Sequence, residues 1–268
     1  MERADLPPIP SRWRMDRIEG ASAGDGVLLT DLDNHAQLSI TGGRLTRGPG
    51  YARASGASRR SLARTGAILR LRQKNRYYLH ASGVVDAKGR ALVFVGDSGA
   101  GKSTLAFGLA RHGWSLLGDD GVVLEPTANG IVVHGWRSPL LVSLDLEEYF
   151  PEIARHRASA LMGDARRRVP VHANSSARAQ LAGLVFVAQG APGSLLPCTE
   201  SSAMLSLIRQ SPWVLLGDGD SAAHFAALRD IVKSVPLYDF RHGPAELERM
   251  EELFPVGADE STEQRIIS

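Results

Sequence analysis

One stretch of sequence decides the fold: Ala91-Leu-Val-Phe-Val-Gly-Asp-Ser-Gly-Ala-Gly-Lys-Ser-Thr-Leu-Ala106. Its first five residues form a short, continuous apolar run, which is typical of a β-strand buried on both faces. A glycine-rich segment follows at residues 96–103. From Leu105 onward apolar residues recur at i, i+4 spacing, which predicts a helix that ends before Gly113. The stretch therefore predicts a buried strand, a tight loop and a helix in direct succession.

The loop matches the phosphate-binding pattern G-x-x-x-x-G-K-[ST] in full. Its glycines permit a tight turn in which backbone N–H groups form a nest for a phosphate, and the helix adds the positive end of its dipole. In such loops the lysine, here Lys102, bridges the β- and γ-phosphates, and the hydroxyl, here Ser103, ligates Mg²⁺. A glycine-rich turn that only caps a helix is the alternative, but it requires neither side chain. We therefore predict an ATP- and Mg²⁺-binding site (a Walker A loop) whose nucleotide-binding residues are Gly96, Asp97, Ser98, Gly99, Ala100, Gly101, Lys102, Ser103 and Thr104.

Two adjacent carboxylates, Asp119 and Asp120, follow the next predicted strand. One helix and one strand return the chain to the same end of the sheet as the phosphate loop. Adjacent carboxylates are unfavourable there unless they share a cation or a proton. One would then serve Mg²⁺, and the other would accept a proton from an attacking hydroxyl. An Asp-Asp-Gly turn between two strands is the alternative interpretation.

A histidine, His80, ends the strand that precedes the buried strand. If these two strands pair as a hairpin through residues 86–89, His80 lies near Gly96. From there it would bind a phosphate or orient Asp120. A histidine in a strand is more often structural, and that alternative stays open on the residues alone.

The whole chain predicts an α/β fold with a mixed sheet, because some strands are joined by tight turns and others by a helix. We expect a β-rich N-terminal extension over residues 1–75, packed on the core, a catalytic domain over 76–256 and a disordered tail over 257–268. Residues 47–60 are interpreted as an exposed loop. The predicted helices are 60–74, 102–112, 221–234 and 245–253. The predicted strands are 26–30, 36–40, 77–81, 84–85, 91–95, 114–117, 122–124, 131–134, 140–143 and 181–188.

Composition narrows the class of protein. The chain has 268 residues, 43% of them hydrophobic and 22% charged, which is the mixture of an ordinary globular protein. Thirty-one Lys and Arg against 29 Asp and Glu give a net charge of +2, which does not favour a nucleic-acid or membrane partner. The single cysteine, Cys198, excludes an internal disulfide and a cysteine-cluster zinc site. No apolar run reaches the ~18 residues of a membrane helix. We expect a soluble, cytoplasmic protein.

Three segments together resemble the catalytic domain of the HPr kinase/phosphorylase family. They are His80-Ala-Ser-Gly-Val-Val, Gly96-Asp-Ser-Gly-Ala-Gly-Lys-Ser-Thr-Leu-Ala and Arg111-His-Gly-Trp-Ser-Leu-Leu-Gly-Asp-Asp120. The resemblance is strong over residues 77–126, weaker at 181–188 and 235–238, and says little about 1–75. It implies a mixed-sheet P-loop kinase domain and possible homo-oligomers. By the same resemblance, Lys102 and Ser103 serve phosphate and metal, and Asp120 is the base that activates an acceptor serine. His80 is then the family histidine, and Asp119 is left for the metal.

Departures from the family pattern point to its kinase-only branch. Bifunctional members carry an R-E-[IV]-x-G segment, whereas residues 135–143 here read Gly-Trp-Arg-Ser-Pro-Leu-Leu-Val-Ser, and Thr104 replaces a frequent Glu. That branch includes kinases of lasso-peptide precursors, so the resemblance implies a serine of a peptide or small protein as acceptor. The alternatives are a small-molecule hydroxyl kinase and a nucleotide-binding regulator without turnover. Arg137 and the run Arg166-Arg167-Arg168 either contact an acidic substrate or form a solvated loop, and we favour the loop.

Overall fold

The computed structural model describes residues 11–23, 26–136, 140–155, 166–169, 177–190, 195–243, 246–247 and 249–254. The chain divides into two compact units. Unit 1 comprises Met1–Tyr77 together with Pro212–Ala226, and unit 2 comprises Tyr78–Ser211 together with Ala227–Ser268. Nothing in the sequence pointed to the second segment of unit 1, because residues 212–226 carry no pattern that ties them to the N-terminal part.

The helices are α1 Gly56–Arg72, α2 Lys102–Arg111, α3 Glu200–Gln210, α4 Ser221–Ser234 and α5 Met250–Leu253. The strands are β1 Ser11–Met15, β2 Ile18–Ala23, β3 Gly26–Asp31, β4 Gln37–Thr41, β5 Arg44–Arg47, β6 Tyr77–Leu79, β7 Ala81–Val85, β8 Arg90–Val95, β9 Ser115–Gly118, β10 Val122–Thr127, β11 Gly130–Gly135, β12 Leu140–Ser143, β13 Arg166–Val169, β14 Arg178–Gln189, β15 Leu196–Pro197 and β16 Leu237–His242. Short 3₁₀ turns lie at Tyr51–Arg53, Leu144–Glu147, Pro151–Arg155 and Pro212–Leu215. None of the helices within the described ranges is both long enough and apolar enough to cross a membrane.

Unit 1 is an antiparallel sheet covered by α1. The strands are paired in the order β1–β2–β3–β4–β5, each with its neighbour in sequence. Alternate residues of β3 and β4 are buried, as expected for a sheet with one face on the core. Gly66 lets α1 approach the sheet, since a Cβ there would lie 2.6 Å from Leu38 Cδ2. The core side chains of this layer include Leu29, Leu38, Ile40, Leu62, Ile68 and Leu69.

A buried ion pair holds the end of α1 within unit 1. Arg72 donates two hydrogen bonds to Asp218, at 2.8 and 2.7 Å, and both side chains are almost fully buried. Tyr77 stacks on the fully buried His224, with ring centroids 4.5 Å apart. Burial first, and then the neighbouring Arg72, lower the pKa of His224 to about 3, so its imidazole is neutral at ordinary pH.

Unit 2 is built on a nine-stranded mixed sheet. Its main path runs β6–β10–β11–β14–β8–β7–β9, and β16 pairs with both β14 and β15. β8, β14 and β16 are parallel to one another, whereas β7 lies antiparallel between β8 and β9. The carboxyl ends of β8, β9, β14 and β16 and the amino end of β7 therefore meet at one edge of the sheet. α2 packs against this sheet through an apolar cluster that includes Phe94, Leu105, Leu109, Val185 and Phe240.

The predicted mixed α/β class and the β-rich N-terminal part are confirmed. The helix predicted over 221–234 has those bounds as α4, and β7 and β8 pair as the expected hairpin. The loop predicted over 47–60 is wrong at its end, because Ser55 caps α1 by accepting a hydrogen bond from the N–H of Ser58. The predicted 245–253 helix is observed at residues 246–247 and again over Met250–Leu253, the latter as α5. Residues 245 and 248 lie outside the described residues.

Two further differences concern the later part of the chain. α3 was not predicted, because its apolar residues do not all lie on the buried face: Ala203 and Leu207 are buried, whereas Leu205 is exposed. The run at 166–168 was interpreted as a solvated loop, but its backbone is part of β13 and pairs with β12. Arg137 lies outside the described residues.

Candidate active site

The edge of the unit 2 sheet at which the carboxyl ends of β8, β9, β14 and β16 meet carries a cavity of about 740 Å³. Each neighbouring strand delivers residues to it: the phosphate loop follows β8, the carboxylate pair follows β9, and His80 precedes β7. The cavity is lined by His80, Ser82, Ser98, Gly99, Gly101, Lys102, Ser103, Thr104, Asp119, Asp120, Leu146, Tyr149, Gln189, Gly190, His242, Gly243 and Leu247. This position, at the carboxyl ends of parallel strands, is where open α/β sheets bind ligands.

The phosphate loop has the backbone of an anion nest. Gly99 and Gly101 have positive φ values of 82° and 97°, which glycine adopts without penalty. The N–H of Ala100 donates to the carbonyl of Asp97 at 3.1 Å and closes the turn. Gly101 is the N-cap of α2, so the loop runs directly into the positive end of the helix dipole. The arrangement suits a phosphate group at the cavity.

Lys102 lies against the loop. Its Nζ donates to the carbonyl oxygens of Gly96 and Asp97 at 2.8 and 3.0 Å, and only 6% of the residue is exposed. Burial lowers the pKa of Lys102, while Asp119, Asp120 and Asp97 oppose the shift. A cation in such a position is poorly solvated and strongly attracted to an anionic ligand that enters the cavity.

Asp119 is the buried member of the carboxylate pair. Its Oδ1 accepts hydrogen bonds from Ser103 Oγ at 2.7 Å and from Ser82 Oγ at 2.6 Å, and only 2% of the residue is exposed. A hydroxyl and a carboxylate in contact form a set of hard oxygen donors, which is the chemistry that Mg²⁺ prefers. Within the described ranges no cluster of three or more His, Cys, Asp or Glu is placed to hold a metal by itself. The donors present therefore fit an Mg²⁺ that takes its other ligands from phosphate and water.

Asp120 is the open member of the pair. Its side chain is 41% exposed, and its Oδ1 lies 3.4 Å from Nδ1 of His80, which is 32% exposed. The backbone of Asp120 has a φ of +58°, a region that few residues other than glycine adopt. The hydroxyl of Tyr78 donates to the Asp120 carbonyl and supports that conformation. The two adjacent aspartates thus face different surroundings, one buried among hydroxyls and the other open to the cavity.

Three side chains that the sequence did not single out also hold the loop. Gln189 Nε2 donates to the carbonyl of Gly99 at 2.9 Å, and His242 Nε2 lies 2.8 Å from the carbonyl of Ala100. Gln210 Nε2 donates to Oδ1 of Asp97 at 2.9 Å. Gln189 and His242 are the last residues of β14 and β16, so a correct strand order would have placed both beside the loop.

The structure brings together the predicted site residues. His80, Asp119 and Asp120 line the cavity with the loop residues Ser98, Gly99, Gly101, Lys102, Ser103 and Thr104. Gly96, Asp97 and Ala100 do not line it; they contribute the carbonyls and the carboxylate that Lys102, His242 and Gln210 contact. Leu146, Tyr149 and Leu247 add an apolar wall that was not predicted. Cys198 lies outside the cavity lining, and burial raises the pKa of its thiol to about 12.

The chain was compared with known proteins. No family model matches it, and no curated protein matches it. Among solved structures it is similar to the Hpr(Ser) kinase/phosphatase from Coxiella burnetii, at 15% sequence identity over 70% of this chain and 90% of that chain, with a TM-score of 0.36. A likeness of this size is too low to assign a function, which therefore has to be inferred from the geometry of the cavity.

Proposed function

We propose that this protein is an ATP- and Mg²⁺-dependent kinase that transfers the γ-phosphoryl group to a hydroxyl, a serine of a peptide or small protein. The observation that carries the proposal is the different environment of the two adjacent aspartates. Asp119 accepts a hydrogen bond from the hydroxyl of Ser103 in the loop, whereas Asp120 is exposed to the cavity beside His80. A site that only binds a nucleotide has no use for the second carboxylate. The cytoplasm supplies both ATP and such acceptors.

The loop residues bind and orient the triphosphate. The nest formed by residues 96–103 and the start of α2 receives the β-phosphate, and Lys102 moves from the loop carbonyls to the β- and γ-phosphates. Ser103 and Asp119 would hold Mg²⁺. When bound, Mg²⁺ neutralises charge that develops on the phosphoryl oxygens. Leu146, Tyr149 and Leu247 exclude water from one side of the cavity.

Asp120 is the general base of the proposed reaction. Its carboxylate accepts the proton of the acceptor hydroxyl as the hydroxyl oxygen forms a bond to the γ-phosphorus. The bond between that phosphorus and the β–γ bridging oxygen breaks, and ADP leaves with its electron pair. His80, 3.4 Å from Asp120, orients the carboxylate and is positioned to contact the transferred group. A phosphoserine and ADP are the products.

Calorimetry tests the nucleotide part of the proposal. ATP–Mg²⁺ is titrated into the wild-type protein and into Lys102→Ala, a variant that changes a loop residue rather than the apolar core. We expect binding to the wild type and a loss of at least about tenfold in affinity for the variant, because an ammonium–phosphate contact in a partly dry site is removed. Circular dichroism serves as the control for folding. Equal affinity of a folded Lys102→Ala variant would contradict the proposed role of the loop.

A further inference from the structure

Two side chains that the proposed mechanism does not use hold the phosphate loop. Gln189 and His242, here termed the carbonyl donors, end the parallel strands β14 and β16 in register with one another. They contact successive carbonyls of the loop, those of Gly99 and Ala100, at 2.9 and 2.8 Å. A carbonyl can only accept, so His242 Nε2 carries the proton and donates. His242 is almost fully buried, which fixes its ring in this position.

Because the peptide bond is planar, a hydrogen bond that holds a carbonyl also fixes the direction of the N–H group in the same peptide. In a trans peptide the N–H points opposite to the C=O of the same plane. Holding the carbonyl of Ala100 therefore directs the N–H of Gly101 away from His242. Holding the carbonyl of Gly99 likewise fixes the N–H of Ala100, which donates to Asp97 and closes the turn. The donors thus set the orientation of two successive peptide planes in the anion nest.

We infer that the carbonyl donors are positioning residues that order the phosphate loop before the triphosphate binds, an inference that rests on the proposed function. Without them the two peptides are free to rotate, and part of the binding free energy is spent on ordering the loop. Their loss should weaken triphosphate binding and leave the chemical step intact, because the bonds that both residues make are to carbonyls of the phosphate loop. We expect each loss to weaken binding roughly 10- to 100-fold.

The test compares Gln189→Met and His242→Phe, which keep the side-chain size, with a matched control. Gln180→Met is that control, because Gln180 lies on the same strand and donates a similar bond to the carbonyl of Asn129 at 3.2 Å, outside the cavity. Affinity for a fluorescent ATP analogue with Mg²⁺ is measured together with the KM for ATP and kcat. We expect Kd and KM to rise for both donor variants, kcat to stay within about threefold, and Gln180→Met to match the wild type. Restoring a donor with His242→Gln should recover part of the affinity.

The outcomes distinguish a failure of the inference about the carbonyl donors from a failure of the proposed function. Wild-type affinity in the Gln189→Met variant would overturn the role of that donor. Because the Gln189 side chain is exposed, its replacement removes no part of the core, and circular dichroism confirms the fold of the variant. A fall in kcat as large as the rise in KM would also overturn the inference, since it would place the donors in the chemical step. If the wild-type protein binds no nucleotide, the proposed function and the inference fail together. Nucleotide binding by the wild type, together with wild-type affinity in both donor variants, would overturn this inference and leave the proposed function standing.

A second, independent observation concerns the outer face of α1 in unit 1. The helix contains five arginines and no acidic residue. Arg72 is buried against Asp218, whereas the other four side chains are exposed. These four define the arginine face: Arg59, Arg60, Arg64 and Arg70. The exposed Arg47 and Arg53 lie just before the helix in sequence.

The arginine face concentrates positive charge on one helix. Arg60 and Arg64 are one turn apart, a like-charge spacing that disfavours a helix. The sequence of unit 1 has 14 Lys and Arg against nine Asp and Glu, whereas that of unit 2 has 17 against 20. Positive charge is therefore concentrated in unit 1.

We propose that the arginine face binds an acidic polypeptide segment. Guanidinium groups bind carboxylates in pairs, and the small residues Ala63 and Ala67 between the arginines leave room for a peptide backbone to approach. A membrane surface fits less well, because the exposed positions of this face carry no large apolar side chain that would insert. The net negative charge of the rest of the chain disfavours a long nucleic acid. This proposal does not depend on the kinase assignment.

Fluorescence anisotropy tests it with a labelled 20-residue peptide of alternating Glu and Ser at physiological salt. The variant is Arg60→Gln/Arg64→Gln, and the matched control is Arg12→Gln/Arg14→Gln, which removes the same charge from exposed positions of β1. We expect the α1 variant to bind at least about tenfold more weakly than both the control and the wild type. No binding by the wild type, an equal loss in the control, or tighter binding of a 20-nucleotide single-stranded DNA or of vesicles containing phosphatidylserine would overturn the proposal.

Discussion

Gly101 is a position where an added methyl group should strongly destabilise the phosphate loop. Its φ of +97° is costly for any other residue, by about 1–2 kcal/mol. In addition, a Cβ there would lie well under 3.0 Å from Nε2 and Cε1 of His242. Because the His242 ring is buried, it has to shift and release the carbonyl of Ala100, which costs about 1–3 kcal/mol more. Gly101→Ala should therefore lower the free energy of unfolding by about 2–5 kcal/mol.

The neighbouring Gly99 provides the control for this substitution. Its φ is +82°, but a Cβ there would meet nothing within 4 Å. Gly99→Ala should show only the backbone cost of about 1–2 kcal/mol. Urea denaturation followed by circular dichroism measures both variants. The double variant Gly101→Ala/His242→Ala should be less destabilised than the sum of its single substitutions, because the ring that the methyl group meets is gone. A loss in Gly101→Ala no larger than that in Gly99→Ala, or strict additivity, would refute the reasoning.

Two further predictions concern titrating groups. His224 is neutral when folded because burial lowers its pKa to about 3, whereas the unfolded chain takes up a proton below about pH 6.5. Stability should therefore fall from pH 6.5 towards pH 3 by up to about 1.4 kcal/mol per pH unit, and urea titrations of His224→Gln should show a smaller slope. Cys198 should be alkylated by iodoacetamide at pH 8 at least about 100-fold more slowly in the native than in the unfolded protein, as followed by mass spectrometry. The cause is burial, which raises its pKa to about 12 and leaves little thiolate; equal rates would contradict this.

The centre of the site could be predicted from the sequence because its residues lie close together along the chain. The strand, the loop and α2 occupy consecutive positions, and Asp119 and Asp120 are one strand further on. The short hairpin of β7 and β8 was enough to place His80. β7 and β8 are neighbours in both sequence and space, and β9 follows β8 after a single helix and pairs with the other side of β7, so local patterning was enough to place these residues.

The remaining parts of the site depend on pairings between distant segments. Gln189 and His242 reach the loop only because β14 lies parallel beside β8 and β16 lies parallel beside β14, an order that no local pattern encodes. Gln210 ends α3, a helix whose apolar residues do not all lie on its buried face, since Leu205 is exposed. Residues 212–226 belong to unit 1 partly through the Arg72–Asp218 pair, which spans 146 positions. Long-range pairs of this kind leave no periodicity in the sequence.

The rate of phosphoryl transfer in Asp120→Asn, measured together with ATP affinity, tests the central claim most directly. A general base acts on the acceptor rather than on the nucleotide, so the rate should fall by about 10²- to 10⁴-fold while the affinity for ATP–Mg²⁺ stays near that of the wild type. Slow hydrolysis with water as acceptor reports on the same base before a peptide acceptor is identified. Asp119→Asn is the paired control, and its defect should lessen at high Mg²⁺, whereas that of Asp120→Asn should not. Wild-type transfer and hydrolysis by Asp120→Asn would contradict the account and return Asp119 and Asp120 to the role of a turn between two strands.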